Sequence, residues 1–218
     1  MRYLVRMTGG AKLGDRVPTV VDFHGHGGTP ENHQKRYVGG IHERARFIIP
    51  YGFDRADHGF EWFPQGAAYA SNHSTLAREL PRIAQRAARG VDAIAAAWPT
   101  RGKPIVTGIS QGAVISYALA LLHPNEISWA CPVSGQVPPQ LLSSAHPAAP
   151  LPEVHGFHGD QDHLMEIKDG RHTVRSLQRL GYVADLREYR GHGHNDLDLA
   201  IPDVQSCLSR GIRSARSR

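Results

Sequence analysis

Gly108-Ile109-Ser110-Gln111-Gly112 is the stretch that decides which fold this chain is expected to adopt. A short apolar run leads into it, and a helical run that ends near Leu122 follows it. The pattern G-x-S-x-G between a strand and a helix is typical of a sharp turn that holds one serine hydroxyl above a sheet. The two glycines let strand and helix approach closely, while the serine takes a strained backbone conformation. The pattern also occurs by chance, so the rest of the chain decides its meaning.

Strand-like and helix-like segments alternate along the whole chain. Strands are expected at 2–7, 17–23, 46–50, 104–107, 127–133, 153–157 and 182–189, and helices at 30–39, 76–98, 113–122, 166–180 and 199–209. The nearly continuous apolar run 17–23 is what a parallel strand covered on both faces requires. This alternation predicts an α/β fold, with a mostly parallel central sheet and helices on both faces. Because no repeat or linker interrupts it, residues 1–218 are expected to form a single domain.

The composition is that of a globular chain with an excess of basic residues. Its 218 residues are enough for a sizeable core, and 40% of them are hydrophobic. The formal net charge is +5 and the pI is about 9.5. Much of the excess lies in the tail 210–218, which is expected to be solvated and frayed because no aromatic residues alternate with its arginines. A nucleic-acid partner is therefore not expected.

The chain shows no sign of secretion or of membrane insertion. The N-terminal residues lack the apolar stretch of a signal peptide, and no run is long enough to cross a bilayer. These features predict a cytoplasmic protein without stable membrane insertion. In that compartment Cys131 and Cys207 are expected to be buried free thiols, and the alternative is that they form a disulfide or bind a metal together.

Residues with catalytic chemistry follow three of the expected strands. Ser110 follows one strand, Asp160 and Asp162 follow another, and His192 and His194 follow the last. Catalytic groups of open α/β sheets gather at the carboxyl ends of the strands. The chain order Ser, Asp, His is the one that hydrolases with a nucleophile elbow use. In such a triad an imidazole takes the proton of the serine hydroxyl, and a carboxylate orients the imidazole.

Acyl transfer also needs two backbone N–H groups that face the developing oxyanion. Gln111, directly after the serine, is expected to supply one of them. His26 is expected to supply the other, because it lies in the glycine-rich loop 24–30 that follows the second strand. Loss of a single donor of this kind typically slows turnover by about 10²–10³-fold.

Two segments without clear periodicity, 51–74 and 137–152, are expected to shape the substrate pocket. Long loops in a compact domain usually carry function. Trp62 and Phe63 in the first segment, together with Met165 near the acid, are predicted to contact substrate. The alternative for the aromatic pair is that it only anchors the loop to the body of the protein.

Together these motifs resemble those of the α/β-hydrolases, and in particular of the carboxylesterase/phospholipase group that includes the acyl-protein thioesterases. The matching segments, in the order that the family has them, are 24–27, Trp62-Phe63, 108–112, 158–162 and 191–194. The glycine-rich loop also resembles that of esterases related to polyhydroxyalkanoate depolymerases. The resemblance implies an α/β-hydrolase fold, with Asp162 as the acid of the pattern H-G-x-x-D and His194 as the base of G-x-G-H.

The sequence departs from that group at two places. After the acid the family often carries Val-Pro, whereas this chain continues His163-Leu164-Met165-Glu166. Glu166 is expected to face water, and the alternative is that it disfavours anionic acyl chains. His26 stands where many relatives have an apolar residue, and its side chain either contacts substrate or points to solvent.

The sequence therefore predicts a serine hydrolase that cleaves carboxylic esters, or thioesters, of short to medium acyl chains through an acyl-enzyme. The expected partner is a small-molecule ester, with no cofactor and no metal. One alternative is a non-catalytic ligand-binding protein on a hydrolase scaffold. Another is a metal-dependent hydrolase that uses the pairs His24/His26 and His192/His194, although no acidic partners follow in the pattern of zinc hydrolases.

Overall fold

A computed structural model describes residues 1–56, 58–64, 73–148 and 150–216 of the chain. The strands are β1 (Tyr3–Thr8), β2 (Thr19–Phe23), β3 (Ala45–Pro50), β4 (Asp54–Ala56), β5 (Gly59–Glu61), β6 (Ile105–Ile109), β7 (Trp129–Val133), β8 (Glu153–Gly159) and β9 (Ala184–Tyr189). The helices are α1 (Pro30–His33), α2 (His73–Ala97), α3 (Gln111–Leu122), α4 (Pro139–Ser144), α5 (Ile167–Arg179) and α6 (Ile201–Arg216), with short 3₁₀ turns at Val38–Gly40 and Asp198–Ala200.

Seven of the strands form one sheet, in the order β1-β3-β2-β6-β7-β8-β9. β1 runs antiparallel to β3 at one edge, and the remaining neighbours are parallel. The predicted mostly parallel α/β sheet is thus confirmed. β4 and β5 form a separate hairpin inside the segment 51–74. Residues 57 and 65–72 of that segment lie outside the described residues.

Buried side chains alternate between the two faces of the sheet. Val21 and Val106 pack toward α2, α3 and α5, whereas Val20 and Ile105 pack toward α6. Successive residues of a strand point to opposite faces, so a strand covered on both sides requires a continuous apolar run. All five residues of β2 are buried for this reason. The two cores hold the strands rigidly, and the parallel strands end at one common edge.

The longest helix, α2, is amphipathic. Over its 25 residues it buries a stripe that includes Leu76, Leu80 and Ile94, and it exposes Arg78 and Arg82. Side chains three and four positions apart share one face of a helix, which produces this stripe. Across the described ranges, none of the helices combines the length and apolar character needed to span a membrane.

Two helices differ from their predicted extents. The helix expected at 30–39 ends at His33, and a 3₁₀ turn at Val38–Gly40 follows it; glycines such as Gly39 and Gly40 disfavour a longer α-helix. The last helix continues to Arg216 instead of ending at Ser209. The prediction of a frayed tail was therefore wrong for 210–216: Ile212 and Ala215 are buried in the core beneath the sheet.

Cys131 and Cys207 form a disulfide, so the prediction of two free thiols was wrong. Cys131 lies in β7 and Cys207 in α6, and both side chains belong to the core on that face of the sheet. The indole Nε1 of Trp129 donates to the sulfur of Cys207 at 3.3 Å. The prediction failed because it assumed a reducing compartment, and because packing of α6 joins two cysteines 76 residues apart.

Candidate active site

Ser110 lies at the turn between β6 and α3 in a backbone conformation that residues with a side chain rarely adopt. Its φ is 57° and its ψ is −118°. A Cβ on Gly112 would overlap the carbonyl oxygen of Phe23, and a Cβ on Gly108 would lie 2.5 Å from the same atom. The end of β2 thus fills the space beside both glycines. This close approach is what permits the tight turn, and the positive φ of Ser110 stores strain at the site.

Ser110, His194 and Asp162 are in hydrogen-bonding contact, although they come from three different strand ends. The Oγ atom of Ser110 lies 2.9 Å from Nε2 of His194, and Nδ1 of His194 lies 2.7 Å from Oδ2 of Asp162. The carboxylate accepts from Nδ1–H, which leaves the lone pair of Nε2 for the serine hydroxyl. The imidazole is 11% exposed, and the carboxylate is fully buried.

Asp162 is held as a carboxylate by donors on both of its oxygens. Its Oδ1 accepts from the backbone N–H groups of Leu164 and Met165, at 2.9 and 2.8 Å. Its Oδ2 faces Nε2 of His158 at 3.3 Å as well as His194. Burial alone raises the pKa of Asp162, but the neighbouring imidazoles of His158 and His194 outweigh burial and bring the pKa well below its usual range. Asp162 therefore stays ionised at neutral pH.

The glycine-rich loop after β2 passes directly over the serine. A Cβ on Gly25 would lie 3.5 Å from the Cβ of Ser110, which is ordinary van der Waals contact. The β4–β5 hairpin supports the loop, since the N–H of Gly27 donates to the carbonyl of Phe60 at 2.9 Å. Gln111 begins α3, so its N–H is among those without an acceptor inside the helix.

The buried side chain of His24 holds the start of this loop in place through both of its ring nitrogens. Its Nδ1 lies 2.7 Å from the carbonyl oxygen of Gly25, and its Nε2 accepts from the N–H of Gly52 at 3.0 Å. These two bonds require a neutral ring that carries its proton on Nδ1. Burial lowers the pKa of His24 to about 4, in keeping with a neutral ring.

Trp62 and Phe63, predicted to contact substrate, are buried and do not line the cavity beside the serine. Their backbone groups instead hold the side chain of Gln111: its Oε1 accepts from the N–H of Trp62 at 2.9 Å, and its Nε2 donates to the carbonyl of Phe63 at 2.7 Å. The indole Nε1 of Trp62 also donates to the carbonyl of His24 at 2.8 Å. The placement corresponds to the alternative in which the pair anchors its loop.

A cavity of about 350 Å³ opens beside Ser110. It is lined by Gly25, His26, Arg36, Ile109, Ser110, Gln111, Leu164, Met165, His194 and Asn195. Met165, predicted to contact substrate, lies in this wall and is almost completely buried. None of the described residues of 51–74 or 137–152 is part of this lining, and residues 57, 65–72 and 149 of those segments lie outside the described residues.

Other polar residues near the triad have structural partners. Oδ1 of Asp160 accepts from the N–H of Gly191 at 2.7 Å, which holds the loop that carries His194. Nδ1 of His192 lies 3.2 Å from the carbonyl of Asp196, away from the serine. Glu166 pairs with Lys168 and is absent from the cavity wall. The side chain of His26 is part of the wall, with its Nδ1 3.2 Å from Oε2 of Glu61.

In the described ranges, no group of three or more His, Cys, Asp or Glu side chains is arranged to hold a metal ion. His24 and His194 have both ring nitrogens in contact with protein atoms. One histidine of each pair in the metal alternative is therefore held by protein atoms through both of its ring nitrogens.

Three contributors to the site were not predicted as such. His158 was noted only as part of the acid motif, yet it contacts the buried carboxylate of Asp162. The side chain of Gln111 was not expected to bind the hairpin, and Arg36 had no predicted role. The H-G-x-x-D spacing was a signal for His158, since residues four apart can meet across a turn. Nothing local to the sequence indicated the other two.

The fold and the Ser-His-Asp arrangement at the strand ends define the class as an α/β-hydrolase. A model of the phospholipase/carboxylesterase family matches residues 12–211, and the chain belongs to that family. The predicted resemblance is thereby confirmed.

Two plant proteins named as carboxylesterases are similar in sequence to about half of this chain. Carboxylesterase SOBER1 of Arabidopsis thaliana is 24% identical over 114 residues, which is 51% of this chain and 50% of that protein. Probable inactive carboxylesterase Os04g0669700 of Oryza sativa subsp. japonica is 29% identical over 119 residues, 52% of this chain and 49% of that protein. These matches span about half the length of the curated relatives.

The crystal structure of acyl-protein thioesterase 2 from Zea mays superposes with a TM-score of 0.70 at 20% identity, covering 97% of this chain and 99% of that one. At this identity the likeness shows the fold alone. Membership of the family supports ester hydrolysis in general.

Proposed function

We propose that this protein is a serine esterase that hydrolyses small carboxylic esters or thioesters through a covalent acyl-enzyme. The observation that carries the proposal is the chain of contacts from Ser110 Oγ through the imidazole of His194 to Asp162, at 2.9 and 2.7 Å. Nucleophile and base within hydrogen-bond reach, with the base oriented by a third group, is the arrangement that activates a serine.

In this mechanism Oγ of Ser110 attacks the ester carbonyl carbon as its proton passes to Nε2 of His194. Asp162 stabilises the imidazolium that forms. The N–H groups of His26 and Gln111 bind the oxyanion of the tetrahedral intermediate. The intermediate collapses with loss of the alcohol or thiol, which takes the proton from His194. Water, deprotonated by the same imidazole, then attacks the acyl-enzyme and releases the carboxylic acid and free Ser110.

The cavity favours short acyl chains. Its volume of about 350 Å³ is near the lower end of the range of roughly 300–1,000 Å³ for ligand pockets. Leu164, Met165 and Ile109 supply an apolar part of the wall for a short chain. We expect kcat/KM for p-nitrophenyl esters to peak at acetate to hexanoate and to fall for decanoate, with a matched acyl thioester tested beside them.

Ser110→Ala and His194→Ala are expected to reduce kcat for p-nitrophenyl butanoate by at least about 10⁴-fold, because each removes a member of a group that acts as a unit. His192→Ala is the matched control, since it changes the other histidine of the same loop and should retain most activity. Near-normal turnover by either triad variant would refute the assignment.

The non-catalytic alternative makes the opposite prediction in a labelling experiment. A fluorophosphonate probe should modify the folded protein at Ser110, and Ser110→Ala should stay unlabelled. A folded protein whose Ser110 does not react, and which hydrolyses none of the esters, would favour a ligand-binding role on this scaffold. The rice relative named as probably inactive makes this a necessary experiment.

A further inference from the structure

Arg36 is a charged residue in the wall of the cavity that holds the catalytic serine, and the ester mechanism above does not use it. It follows α1, and its side chain is 23% exposed. It also lines an adjoining depression of about 250 Å³, which shares Gly25, His26 and Ile109 with the catalytic cavity. Arg36 is therefore beside the glycine-rich loop and contributes to the walls of both depressions.

The walls of both depressions carry no carboxylate among the residues that the structure describes. Nearby acids are already paired with histidines: Asp162 contacts His194, Glu61 lies 3.2 Å from His26, and Asp22 lies 2.7 Å from His33. A guanidinium group is a permanent cation in proteins. The cavity thus presents one permanent positive charge, and no wall residue neutralises it.

The counterion of Arg36 lies toward solvent. Nη1 and Nη2 of Arg36 both donate to the same atom, Oδ1 of Asp198, at 3.1 and 3.0 Å. The side chain of Asp198 is 79% exposed. Exposed ion pairs of this kind contribute little to stability. Stabilisation of the fold by this pair therefore does not explain why an arginine lies in the cavity wall. These two bonds use two of the five N–H groups of Arg36, and a guanidinium can bind a second oxyanion with the remainder.

We infer that Arg36 binds an anionic group of the substrate, so that the preferred substrates are small esters that carry a carboxylate or phosphate near the scissile bond. This inference rests on the proposed esterase function and narrows its substrate class. The anion forms charge-assisted hydrogen bonds with the fork of Arg36, while the ester carbonyl occupies the oxyanion site. Arg36 acts on recognition of the substrate and takes no part in proton transfer.

Matched pairs of esters test the inference, because a carboxylate and a carboxamide have nearly the same shape. One pair carries the anion on the acyl side: the mono-4-nitrophenyl ester of glutaric acid and 4-nitrophenyl 4-carbamoylbutanoate. The other carries it on the alcohol side: 4-carboxyphenyl butanoate and 4-carbamoylphenyl butanoate. The pair with the larger ratio of kcat/KM, acid over amide, identifies the side that faces Arg36.

In the wild type we expect a ratio of about ten or more in one pair, and Arg36→Gln should lower it about tenfold. Arg36→Lys should restore part of the preference. Arg187→Gln is the matched control, because Arg187 also pairs with an aspartate, Asp203 at 2.8 Å, but is not part of the cavity wall. A ratio near one in both pairs, a preference that survives Arg36→Gln, or an equal loss for acid and amide would overturn the inference.

Binding to the Ser110→Ala protein separates this inference from the proposed function. By titration calorimetry the acid of the selected pair should bind about tenfold more tightly than the amide, and the added Arg36→Gln change should remove the difference. If no ester is hydrolysed but this binding preference is present, esterase function fails and the role of Arg36 stands. If esters are hydrolysed and neither assay distinguishes acid from amide, only the role of Arg36 fails.

Discussion

His24 shows how a single buried side chain ties the stability of this protein to pH. Its ring is completely buried, and its two nitrogens contact the carbonyl of Gly25 and the N–H of Gly52. Protonation of Nε2 would replace an acceptor with a second donor facing that N–H. The neutral ring is therefore the one that the folded state requires, and the oxyanion loop depends on it.

The pKa of His24 is lowered by burial from its ordinary value of 6.5 to about 4, so the unfolded chain binds the extra proton between these two pH values. The contribution of the neutral His24 ring to the free energy of unfolding is therefore fully present above pH 6.5, and it is lost as the pH falls toward 4. From pH 7 to pH 5, His24 is expected to reduce the free energy of unfolding by about 2 kcal/mol. Urea unfolding at both values measures this loss. His24→Gln should show a smaller loss by about that amount, whereas an unchanged difference would contradict the assignment.

At the scale of the elements, the site depends on how closely β2, β6 and α3 meet. β2 pairs with β6 in parallel, so that Phe23 lies opposite Gly108. The glycine-rich loop leaves β2 at the point where the turn that carries Ser110 leaves β6. Gln111 then ties α3 to the segment after the β4–β5 hairpin through the backbone of Trp62 and Phe63. The strands β2 and β6 and the helix α3 thus pack so closely that a Cβ on Gly108 or Gly112 would meet the carbonyl oxygen of Phe23.

Gly112→Ala is expected to destabilise the protein by about 3 kcal/mol or more and to reduce esterase activity, because the new Cβ overlaps the carbonyl of Phe23. Thermal and urea unfolding measure the loss. Gly39→Ala is the control: Gly39 is exposed, and a Cβ there meets no atom within 4 Å. That variant should stay within about 0.5 kcal/mol of the wild type. Equal stabilities of the two variants would contradict the packing explanation.

At the scale of the whole molecule, the disulfide joins the central sheet to the last helix. It closes a long loop, because Cys131 and Cys207 are separated by 76 residues. In the chain-entropy description, closing a long loop restricts the unfolded ensemble. The surrounding core residues, among them Trp129, Leu208 and Ile212, keep both sulfurs away from water.

Replacing both cysteines with alanine is expected to lower the free energy of unfolding by about 2–4 kcal/mol. Urea unfolding of the double variant against the wild type, with and without reductant, measures the loss. Reductant should weaken the wild type and leave the double variant unchanged. Thiol titration of the unfolded, unreduced wild type should find no free thiol. Two reactive thiols there would show that the cysteines are not bonded.

Local patterns were enough to predict the class of fold and to nominate Ser110, the aspartates 160 and 162 and the histidines 192 and 194. Parallel strands end at one edge of a sheet, so residues that follow β6, β8 and β9 are brought to the same place whatever the details of packing. The assignment of Asp162 over Asp160 and of His194 over His192 came from the family resemblance. In the structure, Asp162 and His194 contact one another and His194 contacts Ser110, whereas Asp160 and His192 contact backbone groups of a neighbouring loop.

Contacts between residues far apart in the chain could be decided only by the tertiary structure. The disulfide, the buried position of Trp62 and Phe63 and the presence of Arg36 beside Ser110 all depend on how segments far apart in the chain pack against one another. Periodicity and spacing report on neighbours within an element, and they carry no information about which distant side chains share a cavity. The residues proposed for catalysis could therefore be named from the sequence, whereas the charge and size of the cavity came from packing.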